Sequence, residues 1–201
     1  MRFNTIIDVA SGEYKSRGSK FFSFLHPISN FDEYKHLISI YRSRYPEACH
    51  VCSAYRLFVH SRIDEKGVDD GEPRGSSGQP ILNQLKRNNL INVGAYVIRI
   101  FGGTLLGIPG LIESYSNSTL ISIDNAVHTD WFPQKHVIMQ TPYDQQRIVE
   151  SIIKEFNATI LNRKFSECVY IEISLNKNNF ELFNQKIKDI SSGKISLQEP
   201  S

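Results

Sequence analysis

Three cysteines in 201 residues are too few, and too scattered apart from Cys49 and Cys52, to build a disulfide framework. Cys49-x-x-Cys52 with His50 and His60 close by does not complete a metal set either, because no second pair of this kind supplies four ligands. In the alternating stretch 51–59, Cys52 and His50 share a face that Val51 does not, and Cys49 points away from both. Cys52 is expected to be a buried structural thiol, and neither a metal nor a cofactor is expected. Charge of one sign is also scarce. The formal net charge is +2 and is not concentrated in either part of the chain, which excludes the broad basic field of a dedicated nucleic-acid grip. No apolar run reaches membrane-spanning length, and the opening MRFNTIIDVASGEYKS is interrupted by Asp8 and Glu13 too soon for a signal peptide. A cytoplasmic location without membrane contact is expected.

What the chain has instead is glycine in two dense turns, which hold most of its twelve glycines and bracket one apolar segment. The first turn, Asp69 to Pro80 (DDGEPRGSSGQP), carries three acids, and its glycines permit positive φ and leave backbone amides unshielded. Such a loop suits a phosphate or a carboxylate-rich surface. Asp69, Asp70 and Glu72 can share a Mg²⁺ ion beside a phosphate, or be satisfied by the loop's own amides and by Arg74. Structural organisation is expected for Asp70 and Glu72, with Asp69 left free for a partner. The second turn, FGGTLLGIPG, enters a helix whose first amides can receive an anion. It matches neither the dinucleotide fingerprint nor a P-loop. The candidate binding residues are Asp69, Asp70, Gly71, Glu72, Arg74, Gly75, Ser76, Ser77 and Gly78, together with Gly102, Gly103, Gly107 and Gly110. His26, His50, Lys86, Arg87 and Arg99 are possible contributors, and no catalytic residue is assigned.

Periodicity and breakers give the elements. Strands are predicted over 2–15, 20–25, 51–59 and 92–101, and helices over 31–45, 80–88 and 109–122. Asn30 and Glu33 have capping-box spacing, and Pro46 ends that helix. Residues 61–67 are predicted to be a mobile charged loop. The sheet is predicted to be mixed, with its helices on one face. A boundary is placed near 125–134, dividing a domain at 1–130 from a smaller one at 135–201. The second reads strand, helix, strand, strand, helix, strand, the βαββαβ order of a ferredoxin-like α+β domain. Its helices are expected to bury Ile148, Val149, Ile152, Ile153 and Phe156, then Phe180, Phe183, Ile187 and Ile190.

Three blocks, His50 to Arg56 (HVCSAYR), Asp69 to Leu82 and Arg99 to Ile112, resemble in residue type, order and spacing the IMPACT family, in its bacterial YigZ-like branch. The resemblance is firm over about 20–130 and looser beyond. It implies an N-terminal α/β sandwich like the second domain of ribosomal protein S5 and the fourth domain of the translocation elongation factor. It also implies a role in the control of translation without a securely attached reaction. A histidine is common in the family at the position of His26. Relatives are often basic where Leu105 and Glu113 stand here, so this chain has less positive charge at its second glycine turn.

Three functional readings follow. The leading one is a non-enzymatic regulatory protein that binds the translation machinery or another protein, with RNA contacted only weakly and nonspecifically through Arg42, Arg44, Lys86, Arg87 and Arg99. The second is a phosphate- or small-molecule-processing enzyme using Asp69, Asp70, His26 and His50. The third is assembly through the C-terminal sheet.

Overall fold

The computed structural model describes residues 3–199 and divides into two compact units, with the chain boundary between Trp131 and Phe132. In the first, β1 (Phe3–Ile6) pairs with β7 (His128–Trp131) in a small ribbon. The main elements are β2 (Ala10–Ser16), β3 (Ser19–Pro27), α1 (Phe31–Arg44), β4 (His50–Val59), β5 (Arg62–Val68), α2 (Gly78–Arg87), β6 (Val93–Ile100) and α3 (Gly107–Asp124). The five-stranded sheet has the order β2-β3-β6-β4-β5. Every neighbouring pair in it is antiparallel, so the expected mixed sheet is corrected.

Two short turns join neighbouring strands of this sheet as tight hairpins. Arg17 and Gly18 both have positive φ between the paired Ser16 and Ser19, the two-residue hairpin geometry that matches strand twist. The predicted single strand over 2–15 is two elements, β1 and β2, separated at residues 7–9, and the turn at Arg17 and Gly18 leads the second into β3. His60 and Ser61 do the same between Val59 and Arg62. The predicted mobile loop at 61–67 is thus the edge strand β5, whose alternating charged residues keep that edge soluble. His-Ser lacks the glycine or asparagine that usually announces such a turn.

Helices cover both faces of the sheet, not one. Alternate side chains of β6 explain this: Tyr96 and Ile98 join Tyr34, Tyr41, Val51 and Tyr55 under α1, whereas Ala95 and Val97 join Phe21, Cys52, Ile81, Leu85 and Tyr115 under α2 and α3. The Asn30 cap of α1 is present, the Glu33 N–H donating to Asn30 Oδ1 at 2.9 Å, but the return bond of the expected capping box goes one residue further back, the Ser29 N–H donating to Glu33 Oε2 at 2.7 Å.

The second unit contains β8 (Gln134–Thr141), α4 (Gln146–Glu155), β9 (Thr159–Phe165), β10 (Val169–Asn176), α5 (Phe180–Ile190) and β11 (Leu197–Gln198). Its antiparallel sheet runs β11-β8-β10-β9. Val149, Ile152, Ile153, Phe183 and Ile187 pack on Val137, Met139, Ile171 and Ile173. Ile148 is exposed, however, and Ile190 is at the surface. The inward stripe of α4 is centred one position later than predicted, because a stripe five residues wide is broader than the sheet face it covers.

Candidate functional site

The site lies where β5 leads into α2 and β6 leads into α3. In the first loop, Asp70 and Gly71 both have positive φ, and the Glu72 N–H donates to the Asp69 carbonyl at 3.0 Å. This is the backbone of a tight turn, and it explains Asp-Gly there. Asp69 then takes the place that an incoming anion was expected to fill. The Gly75 N–H donates to Oδ2 at 2.8 Å, and the N–H groups of Ser77 and Gly78 donate to Oδ1 at 3.2 and 2.8 Å. The Ser77 hydroxyl adds a fourth bond to Oδ1 at 2.8 Å. Burial alone raises the Asp69 pKa, but these donors outweigh it and hold the group below its ordinary value. Asp69 therefore caps α2, whose N-cap residue Ser77 makes no side-chain cap of its own. The expectation of a free Asp69 is corrected; of the candidate binding residues around it, Ser76, Ser77 and Gly78 are buried.

The other two acids are organised as structural groups, though by different partners than Arg74. Asp70 pairs with Arg42 and accepts the Val51 N–H at 2.7 Å. Glu72 Oε1 accepts from Arg99 Nη1 at 2.7 Å and from the Tyr115 hydroxyl at 2.8 Å. The Glu72 and Arg99 side chains are only 3% and 8% exposed. Burial pushes the Tyr115 pKa far upward, so its hydroxyl stays a donor. Arg74 is exposed and makes no ion pair among the described residues. Loop glycines serve close packing: a Cβ on Gly78 would lie 2.3 Å from the Val68 nitrogen, and one on Gly102 would lie 1.9 Å from the Gly18 carbonyl carbon. Gly103 and Gly107 have positive φ, whereas Gly110 packs on Leu106.

The two histidines do not meet. His26 Nε2 and the Tyr41 hydroxyl share a 2.6 Å hydrogen bond under α1, where burial lowers the His26 pKa. His50 Nδ1 bonds the Asp70 carbonyl at 2.7 Å on the other face. Their partners on β6 are Gly94 and Arg99, so they are also separated along the strand by roughly 17 Å. Asp69, Asp70, His26 and His50 thus form no single constellation. Cys52 is buried, its thiol donates to the Asp69 carbonyl at 3.0 Å, and burial pushes its pKa up to about 12. It stays a thiol. Among the described residues no three His, Cys, Asp or Glu side chains are grouped as metal ligands.

Both glycine turns line one cleft of about 410 Å³, with Glu72 and Pro73 from the first and Leu105, Leu106, Gly107 and Ile108 from the second. His50, Arg99, Phe101 and Leu111 complete most of the wall. Lys86 lies elsewhere, paired with Glu65, and Arg87 is exposed beside it on α2. The apolar wall was not assigned from sequence, although the run Leu105-Leu106-x-Ile108 inside a glycine turn was a visible signal. Tyr115 and Arg42 gave none, because their partners are distant in sequence.

Residues 17–123 match the family model described as the Impact N-terminal domain, more than half of the chain. This chain belongs to the Impact family. A family model described as a domain of unknown function matches residues 139–194. The Impact family member YvyE of Bacillus subtilis is 29% identical over 198 residues, covering 97% of this chain and 89% of that protein. YigZ of Escherichia coli is 27% identical over 180 residues, covering 89% and 88%. A crystal structure of a hypothetical protein superposes on the whole chain and 98% of its own, with a TM-score of 0.69 and 23% identity. That likeness concerns the two-unit Impact fold. Among the described residues no helix is long and apolar enough to cross a membrane.

Proposed function

We propose that this Impact protein is a non-enzymatic regulatory binding protein of the translation machinery, and that the rim of the two glycine turns is its contact surface. In this reading it falls in the YigZ-like branch, with a first unit like the second domain of ribosomal protein S5 and a ferredoxin-like second unit. The observation that carries the binding role is the exposure of Phe101, Leu105 and Ile108 at 45, 82 and 53% on the second turn, whose flanking elements Glu72 ties to the first loop through Arg99 and Tyr115. Large apolar side chains held out to solvent at a loop suit a protein partner. Family membership supports translation as the setting. RNA is a poorer fit: Arg99 is buried, Arg42 and Lys86 are paired, and Arg44 lies over Phe24 and Tyr45.

Co-sedimentation of the purified protein with purified ribosomal subunits and with individual translation factors tests this. Saturable association with one of them, weakened at least about fivefold by Leu105→Asp with folding intact, is the expected result. No association at micromolar concentrations, or association indifferent to Leu105→Asp, overturns it.

A further inference from the structure

In the second unit α4 and α5 cover one face of the sheet, with Val137, Met139, Ile171 and Ile173 beneath them. The alternate positions of β8 and β10 form the opposite, open face, where Ile138 lies beside Glu172 and Tyr170. On β9, Arg163 turns to the helix side and pairs with Glu150 of α4, which leaves Asn162 and Lys164 on the open face. Lys164 and Glu172 are the fixed charges that β8, β9 and β10 place there, and neither is ion-paired or hydrogen-bonded among the described residues.

The register sets these side chains in a rectangle. Lys164 stands opposite Tyr170, and Asn162 stands opposite Glu172, whose neighbour on the other side is Ile138. The two charges therefore occupy one diagonal, across which side chains are about 7–8 Å apart. The five residues enclose a hollow of about 150 Å³, and Tyr170 at its edge is 39% exposed. A polyanion is disfavoured here, because Glu172 cancels Lys164. A face with one unpaired charge of each sign is instead complementary to itself. A two-fold axis lying in the interface and crossing the charge diagonal sets each Lys164 on Glu172 of the other copy, and brings each Tyr170 beside its own counterpart over the hollow. With strands about 4.8 Å apart and alternate residues about 6.8 Å apart, the strands of the two copies then cross at roughly 70°, near the orthogonal mode of sheet packing.

We propose that the open face of the second unit docks a second copy of this chain, through two Lys164–Glu172 contacts that flank a pair of Tyr170 rings. The proposal is independent of the contact surface assigned to the first unit.

Sedimentation velocity of the full-length protein at several concentrations tests it. A dimer with a Kd of about 10–100 µM is expected, as suits a small interface with exposed ion pairs. Each substitution acts twice by symmetry. Lys164→Glu and Glu172→Lys should each weaken the dimer at least about tenfold, because like charges then face each other at both contacts. The double variant, Lys164→Glu with Glu172→Lys, should return to within about threefold of the parent, and an equimolar mixture of the two single variants should form a heterodimer. Recovery in the double variant separates loss of charge pairing from misfolding. A monomer at every concentration up to about 300 µM, a dimer indifferent to the single reversals, or a double variant as weak as either single one would overturn the proposal. The first of these outcomes would leave the face to a partner of different chemistry.

Discussion

Replacing Asp69 by alanine isolates the group on which the first loop is built. The substitution removes the acceptor of four hydrogen bonds. Gly75 is exposed, so water replaces its lost bond, but Ser77 and Gly78 are buried and their amides lose their acceptor at the start of α2. A buried donor left unsatisfied costs about 1–3 kcal/mol, and losing a negative charge at a helix N-terminus adds about 0.3–1 kcal/mol. Partial compensation in the loop brings the expected loss to about 3–4 kcal/mol. With a urea dependence of about 2 kcal/mol per molar, the unfolding midpoint should fall by about 1.5–2 M. Trp131, the single tryptophan, packs on Phe3 and Phe58 within the first unit, so its fluorescence reports that unit. Asp69→Asn keeps one acceptor and should cost less than half as much. The pH dependence has a definite sign. Because the folded-state pKa of Asp69 is lowered, its contribution is complete above the unfolded carboxylate value near pH 4 and is lost as pH falls through the folded value. The gap between parent and Asp69→Asn should therefore narrow in acid. An Asp69→Ala midpoint within about 0.3 M of the parent would refute the capping role.

The neighbouring glycines should separate by cause. Gly102→Ala meets the Gly18 backbone and should cost well over 2 kcal/mol by urea unfolding, whereas Gly103→Ala meets nothing and should cost only about 1 kcal/mol for its positive φ. Glu72→Gln leaves Arg99 buried without its counter-charge and should cost about 3 kcal/mol, while Glu113→Gln on the exposed side of α3 should stay within about 0.5 kcal/mol. Bulk RNA should bind weakly and with little sequence preference, and Lys86→Ala with Arg87→Ala should lower it slightly and equally for all sequences. Titration of labelled RNA at several salt concentrations reads the logarithmic slope, about 0.7 per phosphate neutralised, and tight sequence-selective binding at high salt would refute the expectation.

Local chemistry was legible in the sequence wherever a rule acts over a few residues. Asn30 with Glu33 announces α1, the apolar run through Val97 announces the central strand, and helix and strand alternate in the second unit as read. The glycine turns also stood out as one composite feature, and both do line one cleft. The His60-Ser61 turn was hidden because it has neither the glycine nor the asparagine of the usual two-residue hairpin, and pairing of β5 on β4 holds both residues at positive φ. The roles of the loop acids were hidden for a different reason. Three carboxylates within four residues have the same local chemistry, and which one is free depends on what the fold carries to each. Asp69 meets amides eight and nine residues on, Glu72 meets Arg99 and Tyr115, and Asp70 meets Arg42 from the helix on the opposite face. Sequence determined that these acids and glycines form two turns bracketing one strand; the pairing of β5 and β6 on β4 brought both turns to one end of the sheet, and the packing of α1, α2 and α3 decided which groups are paired, because an ion pair forms wherever two charges are brought together, however far apart they stand in the chain.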